Sequence, residues 1–136
     1  MLVSSTPVQP QKTIIVVDDD RSILRVFTRV LEKKGYAVTA VETGGEAIKQ
    51  LEKNSFDAAL IDVRLPDING LELLPKIQKT SPRTVRIVFT GSMDSTSLSC
   101  CNGDSLIDAF LIKPIKPEIL LNLLDEKIKS RQTAND

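Results

Sequence analysis

The stretch "TIIVVDDDRS", from Thr13 to Ser22, decides the fold because it joins a strand to the start of a helix through three consecutive aspartates. Its apolar part is short and mostly β-branched, which is typical of a strand buried on both faces of a parallel sheet. The aspartates repel one another, since two like charges about 4 Å apart cost roughly 4 kcal/mol at an effective dielectric of about 20. Water, a helix N-terminus or a cation must therefore offset this repulsion.

The pattern of a strand followed by a helix recurs along the chain. Strand candidates cover residues 13–17, 36–41, 57–63, 84–91 and 108–114. The segment after the fourth strand, residues 92–105, is rich in Ser and Thr, which favours only a short and weak helix there. Alternation of this kind predicts a parallel sheet with helices on both faces, because right-handed crossovers place the helices there.

Local signals mark the ends of the helices. Asp20 directly precedes the first helical pattern and is expected to cap it, whereas Gly35 is expected to supply the left-handed end. The pair Gly44 and Gly45 is interpreted as a helix start and not a phosphate loop, because no glycine-rich fingerprint surrounds it. Pro75 lies beyond the expected first turn of the third helix, which predicts a local kink.

Polar residues end four of the predicted strands. Asp18 and Asp19 follow the first strand, Asp62 ends the third, Thr90 the fourth and Lys113 the fifth. Because the carboxyl ends of parallel strands form one edge of the sheet, we expect these side chains to meet there. Three carboxylates form a hard-oxygen site suited to Mg²⁺, and that cation would offset the repulsion among the aspartates.

Together these groups match what phosphoryl transfer requires. One carboxylate attacks in line, while a metal, an ammonium and a hydrogen-bond donor neutralise charge on the equatorial oxygens. We therefore predict that Asp62 is the nucleophile and that Asp18 and Asp19 hold the metal. Thr90 and Lys113 are predicted to contact the phosphoryl group.

The chain resembles a receiver domain of the two-component response-regulator family over residues 12–130. The matching pieces are "IIVVDDD", "ALIDVRLPDINGLELL", "IVFTG" and "FLIKP", and their order and spacing make the match specific. The resemblance implies a flavodoxin-like fold, an α/β three-layer sandwich whose five-stranded parallel sheet has the order 2-1-3-4-5. Residues 1–11 are then expected to form a flexible leader, and residues 131–136 a flexible tail.

The resemblance also implies a metal-binding set and a phosphoacceptor. Asp62 would take a phosphoryl group from the phosphohistidine of a partner kinase. Asp19, Asp62 and the backbone carbonyl of Arg64 would bind Mg²⁺, with Asp18 acting largely through water. The side chain of Arg64 would be placed to shield or steer the phosphoryl group.

By the same resemblance, Thr90 and Phe110 occupy switch positions. The hydroxyl would follow the phosphoryl group inward, and the ring would change rotamer on the face made by the fourth helix, the fifth strand and the C-terminal helix. The Lys113–Pro114 bond resembles a cis peptide of the family. Ile119 and Leu123 widen the apolar stripe of the C-terminal helix, which fits either core packing or a partner or homodimer face.

The expected partners are a sensor histidine kinase or phosphotransfer protein and a downstream protein target. Lys plus Arg and Asp plus Glu number 18 each, so no charge bias points to nucleic acid or to an anionic membrane. The chain contains no histidine, which excludes a His-based triad and a phosphohistidine on this chain. We expect a cytoplasmic protein, because the sequence has neither a signal-peptide pattern nor an apolar run near the roughly 18 residues of a membrane span.

Two alternatives to a signalling switch without enzymatic turnover stay open. Asp18 and Asp20 form a D-x-D pattern after a strand, as in haloacid-dehalogenase-like Mg²⁺-dependent phosphatases, although Asp62 would be misplaced in such an enzyme. The second alternative is a pseudo-receiver that binds partners and is never phosphorylated. The presence of an expected residue type at all five site positions argues against it.

Overall fold

The computed structural model describes residues 11–91 and 106–133. Strands and helices alternate up to the fourth strand, the fifth strand is the next described element, and a 3₁₀ turn precedes the third helix. The elements are β1 (Thr13–Val17), α1 (Arg21–Lys33), β2 (Ala37–Val41), α2 (Gly44–Lys53), β3 (Ala58–Asp62), the 3₁₀ turn (Gly70–Glu72), α3 (Leu73–Thr80), β4 (Val85–Thr90), β5 (Ala109–Ile112) and α4 (Pro117–Thr133).

The five strands form one parallel sheet in the order β2-β1-β3-β4-β5, which confirms the predicted fold. Val17 of β1 is level with Ile61 of β3, and the next residue, Asp62, is level with Phe89 of β4. Thr90 of β4 is level with Ile112 of β5. The strands therefore end at nearly the same height, so the residues that end or follow them line one edge of the sheet.

Helices cover both faces of the sheet. Neighbouring residues of a strand point to opposite faces, so Ile14 packs in the core beneath α1 and α4, whereas Ile15 packs in the core beneath α2 and α3. Each fully buried aliphatic side chain of this kind contributes about 1.5–3 kcal/mol. The helix residues of the two cores are Leu24, Phe27, Leu31, Leu120, Leu124 and Ile128 on one face, and Ala47, Leu51, Leu73, Leu74 and Ile77 on the other.

Helix α1 begins immediately after the aspartate run. The carboxylate of Asp20 accepts hydrogen bonds from the backbone N–H groups of Ser22 and Ile23, at 2.9 and 3.3 Å. The helix ends before Gly35, whose φ of 95° is the left-handed conformation that glycine adopts without strain. Both helix ends were predicted, and the cap means that Asp20 faces its own helix.

The prediction that Pro75 lies beyond the first turn of the third helix was wrong. Asn69 and Glu72 form a reciprocal capping box around a 3₁₀ turn, so the α-helical part begins only at Leu73. Pro75 is then the third residue of α3, where a backbone N–H would have no partner within the helix. The change from 3₁₀ to α-helix precedes the proline, which therefore lies in the first turn of α3.

The C-terminal helix begins at Pro117 and reaches Thr133, so residues 131–133, which were expected to belong to the tail, are helical. Leu123 packs against the core, whereas Ile119 is 52% exposed. The predicted weak helix over residues 92–105, with Cys100 and Cys101, lies outside the described residues. Within the part of the chain that the structure describes, no helix has the length and apolar character needed to cross a membrane.

Candidate functional site

The polar residues at the strand ends meet at one edge of the sheet. Asp18 and Asp19 follow β1, Asp62 ends β3, and Lys113 follows β5. Asp18, Asp19 and Asp62 each offer a carboxylate oxygen, and these three atoms lie within 4.8 Å of one another. The carboxylate cluster predicted from the sequence is therefore present, although its residues come from segments that are far apart along the chain.

Lys113 reaches into this cluster. Its Nζ donates a hydrogen bond to Asp62 Oδ2 at 3.1 Å and lies 3.0 Å from Asp18 Oδ2. The ammonium also lies over the ring of Phe89, 5.2 Å from its centroid. Burial would lower the pKa of Lys113, but the two carboxylates outweigh burial and raise it above its usual value. The ammonium is therefore held charged beside the carboxylates.

Asp18 and Asp62 are both buried, at 0% and 4% exposure, whereas Asp19 is exposed. Burial raises the pKa of Asp18, and the opposing effects of the hydrogen bond from the Asp20 backbone N–H and of the nearby Lys113 ammonium are smaller. Two buried carboxylates around one ammonium leave an excess of negative charge. This excess is unfavourable in a poorly solvated site unless a cation joins it.

The donor set fits a divalent metal ion. Asp18 Oδ1 accepts the Asp20 N–H at 2.9 Å, whereas the buried Oδ2 has an ion-pair contact with Lys113 but no aligned hydrogen bond within the described part of the chain. Carboxylate oxygens clustered in this way are the ligands of Mg²⁺ and Ca²⁺. Asp18, Asp19 and Asp62 are therefore able to hold such an ion.

The loop after β3 presents Asp62 to the cluster. Asp62 Oδ1 accepts the backbone N–H of Arg64 at 3.1 Å, which fixes the carboxylate on the side opposite Lys113. The N–H of Gly70 donates to the Val63 carbonyl at 2.7 Å. A Cβ at Gly70 would lie 2.0 Å from the carbonyl oxygen of Asp62, so only glycine allows this close return of the chain.

Thr90 and Phe110 share one face of the sheet. Phe110 is level with Val88, two residues before Thr90, and its ring packs with the core beneath α2 and α3. Thr90 is fully buried, and its carbonyl accepts the N–H of Lys113 at 2.8 Å. The Lys113–Pro114 peptide is cis, as the resemblance implies.

Asp67 was missed by reasoning from the sequence. Its two carboxylate oxygens accept the backbone N–H groups of Gly44 and Gly45, each at 2.9 Å. These hydrogen bonds lower the pKa of Asp67 below its usual value. An available signal was the glycine pair at a helix start, whose free N–H groups attract a carboxylate.

Comparison with known proteins agrees with this geometry. Residues 14–125 match the family described as "Response regulator receiver domain". The transcriptional regulatory protein GlrR of Escherichia coli K12 is 28% identical over 90% of this chain, and the chain spans only 28% of that relative's length.

Two solved structures are similar in fold and sequence. A CheY-like receiver domain protein from Methanospirillum hungatei JF-1 has a TM-score of 0.86 and 35% identity, covering 92% of this chain and 99% of its own. A response regulator from Burkholderia pseudomallei, solved with a phosphorylated aspartic acid, a calcium ion and citrate, has a TM-score of 0.77 and 26% identity, covering 92% of this chain and 73% of its own. With a family match over most of its length, the chain belongs to the receiver domains of two-component response regulators.

Proposed function

We propose that Asp62 of this receiver domain accepts a phosphoryl group from the phosphohistidine of a sensor histidine kinase or phosphotransfer protein. The observation that carries the proposal is the position of the Asp62 carboxylate, which bonds Lys113 and shares a cluster with Asp18 and Asp19. The phosphorylated aspartic acid of the Burkholderia relative supports it. The family match favours this switch over the phosphatase alternative.

The transfer is a single exchange of bonds at phosphorus. An oxygen of Asp62 attacks in line, and the bond from phosphorus to the imidazole nitrogen of the partner breaks as the new P–O bond forms. The electron pair of the broken bond stays on the imidazole. Lys113, charged and 3.1 Å from Asp62 Oδ2, stabilises the added negative charge, and the hydroxyl of Thr90 donates to a phosphoryl oxygen.

We assign Mg²⁺ to the carboxylate cluster. Asp18, Asp19 and Asp62 would hold it together with the backbone carbonyl of Arg64, and Mg²⁺ suits a site with few protein ligands because it keeps several waters. When bound, the ion neutralises charge on the phosphoryl oxygens. The side chain of Arg64, exposed at the rim, is placed to steer the phosphoryl group.

Phosphorylation is proposed to act through Thr90 and Phe110 on the face of the predicted fourth helix, β5 and the C-terminal helix α4. The predicted fourth helix falls on residues 92–105, outside the described residues. The face of the sheet that Thr90 and Phe110 share supports this, because a hydroxyl drawn toward the phosphoryl group leaves space on the side where the Phe110 ring packs. Four further points stay predictions: a homodimer through this face, a downstream protein target, the cytoplasmic location and the domain limits 12–130.

Incubation with Mg²⁺ and acetyl phosphate, followed by intact mass measurement, tests the phosphoacceptor. We expect one phosphoryl adduct on the wild-type chain and none on Asp62→Ala. Asp125→Ala is the matched control, since Asp125 is an exposed carboxylate on α4 whose partner is Lys129; it should be modified as the wild type is.

Two results would contradict the assignment. An adduct that persists on folded Asp62→Ala would place the phosphoryl group elsewhere. A folded wild-type chain without an adduct at saturating donor would support the pseudo-receiver alternative.

A further inference from the structure

The loop between β3 and the 3₁₀ turn, residues 63–69, is fastened to the start of α2. Asp67 Oδ1 accepts the N–H of Gly44 and Oδ2 accepts the N–H of Gly45, both at 2.9 Å. Gly44 and Gly45 are the first two residues of α2, so their N–H groups have no partner within the helix. One carboxylate therefore joins two segments that lie more than twenty residues apart.

Gly44 allows the 63–69 loop to come this close. A Cβ at Gly44 would lie 2.3 Å from Cδ1 and Cγ1 of Ile68. A Cβ at Gly45 would lie 3.4 Å from Asp67 Oδ2, which is an ordinary van der Waals contact. The steric reason for glycine therefore applies to Gly44, which is in contact with the loop.

The fastening is electrostatically favourable although Asp67 is exposed. The N–H groups of Gly44 and Gly45 lower the pKa of Asp67, because they hydrogen-bond its charged form. A helix N-terminus also favours a nearby negative charge. Asp67 is therefore ionised near neutral pH, and both of its oxygens are engaged.

The other end of the same loop belongs to the functional site. Arg64 N–H donates to Asp62 Oδ1 at 3.1 Å, and Arg64 and Asn69 form an antiparallel bridge that closes the loop. The same short loop therefore carries both the Arg64 peptide and the Asp67 carboxylate that is bonded to α2. Within the proposed metal set, Arg64 contributes through its backbone, so its position is set by the loop and not by a side-chain rotamer.

We propose that Asp67 is a positioning residue for the metal site: its bond to the start of α2 holds the 63–69 loop so that Asp62 and the Arg64 carbonyl are preorganised for Mg²⁺. The proposal rests on the metal site of the proposed function. It adds a residue that does not touch the metal or the phosphoryl group. Partners that orient metal ligands in this way typically account for a 10–100-fold difference in metal affinity.

The dissociation constant for Mg²⁺, measured by calorimetry on the unphosphorylated chain, tests this proposal. Asp67→Asn keeps the side-chain shape but replaces one acceptor with an NH₂ group that faces an N–H donor. We expect Mg²⁺ binding about tenfold weaker than in the wild type. At saturating Mg²⁺, the rate of phosphorylation by acetyl phosphate should return to near the wild-type value, because the nucleophile and Lys113 are intact.

Asp125→Asn is the matched control, because it makes the same chemical change on an exposed carboxylate of α4. Gly44→Ala provides an independent test from the other side, since its Cβ would lie 2.3 Å from the side chain of Ile68 in the loop, which must then move. We expect Gly44→Ala to weaken Mg²⁺ binding and Asp125→Asn to leave it unchanged. Backbone NMR signals of Gly44 and Gly45 should shift in Asp67→Asn, which reports loss of the hydrogen bonds.

A purely structural role for Asp67 would lower the stability of the variant to urea but leave its Mg²⁺ affinity within about twofold of wild type. That result, or a wild-type chain that binds no Mg²⁺, overturns the proposal. Failure of the phosphoacceptor assignment looks different: the wild type would bind Mg²⁺ yet gain no phosphoryl adduct, and the affinity of Asp67→Asn would still decide the role of Asp67.

Discussion

Lys113 lies between two buried carboxylates and is the cation that the structure places among them. Its Nζ is 3.0 Å from Asp18 Oδ2 and 3.1 Å from Asp62 Oδ2, and its side chain is 19% exposed. Removing one partner of a buried ion pair strongly destabilises a protein, because the remaining charge is uncompensated. Here the remaining charges are also the proposed metal ligands, so stability and metal affinity should be coupled at this residue.

We predict that Lys113→Met lowers the free energy of unfolding by about 1–3 kcal/mol without Mg²⁺, below the value for a fully buried pair because the lysine is partly solvated. Added Mg²⁺ should stabilise this variant more than the wild type, since the cation replaces the missing charge. Urea unfolding with and without Mg²⁺ measures both effects. Lys129→Met, which alters an exposed pair with Asp125, should change stability by only about 0.5 kcal/mol. An equal loss with and without Mg²⁺ would contradict the coupling.

Asp67 gives the protein a specific pH dependence. Its folded pKa is lowered from 3.8 by the Gly44 and Gly45 N–H groups, so its contribution to stability is fully present above about pH 4 and is lost as the pH falls through the folded pKa. We therefore expect the wild type to exceed Asp67→Asn in stability near neutral pH, and the difference to shrink below about pH 4. Urea unfolding of both proteins across this range measures the difference. A stability difference between the two proteins that grows below about pH 4 would contradict this expectation.

At the scale of elements, the aspartate run divides between the cap of a helix and the carboxylate cluster. Asp20 caps α1 through Ser22 and Ile23, while Asp18 and Asp19 belong to the carboxylate cluster with Asp62. The helix N-terminus and a cation are thus two separate answers to the repulsion among the three adjacent charges. The division makes neighbouring aspartates distinguishable by experiment.

Asp20→Ala should cost about 1 kcal/mol of stability, because α1 loses its N-terminal cap, and Asp20→Asn should restore most of it. Neither substitution should alter Mg²⁺ affinity more than about twofold, since the Asp20 carboxylate bonds its own helix. Asp19→Asn, in contrast, should weaken Mg²⁺ binding about tenfold or more. Calorimetry and urea unfolding on the three variants separate the roles. Strong loss of Mg²⁺ affinity in Asp20→Asn would move Asp20 into the metal set.

Several elements were predictable because their signals are local. The apolar run of β1, the cap at Asp20 and the left-handed Gly35 are each decided within a few residues of sequence, and the structure confirms them. The strand order came from a resemblance to a known family, not from periodicity. The strand-end residues could then be placed at one edge, since a parallel sheet brings its carboxyl ends together.

What was not predictable depends in two cases on contacts between distant segments and in one case on a local capping box. Asp67 bonds a helix start more than twenty residues away, and nothing next to it in the sequence marks that partner. Pro75 was misplaced because the capping box of Asn69 and Glu72 first closes a 3₁₀ turn, which delays the α-helix. Arg86 is a further case. It is a charged residue within an apolar strand, and it is buried beside the carboxylate of Asp108, which directly precedes the next strand.

Across the whole molecule, the two ends of the sheet carry different charge arrangements. The carboxyl end has the carboxylate cluster of Asp18, Asp19 and Asp62, which has excess negative charge. At the other end, Asp108 lies just before β5, accepts the backbone N–H of Arg86 at 2.7 Å and pairs with Arg131 of α4. Arg86 is 5% exposed, and its Nε lies 3.7 Å from Asp108 Oδ2. Asp108 therefore joins β4, β5 and α4 far from the site.

Asp108 is important for stability because it lies beside the buried guanidinium of Arg86. The Nε and Nη1 atoms of Arg86 are buried and hydrogen-bond to none of the residues in 11–91 and 106–133. We predict that Asp108→Ala costs about 3 kcal/mol in urea unfolding, since it leaves this charge buried and uncompensated. Adding Arg86→Met should recover part of that loss, because it removes the stranded charge and keeps an apolar side chain in the core. Mg²⁺ affinity should stay within about twofold of wild type in both variants, since the network lies at the opposite end of the sheet. A double variant as unstable as the sum of its two single changes would contradict the coupling of Arg86 to Asp108. A large change in Mg²⁺ binding would show that the two ends of the sheet are not independent.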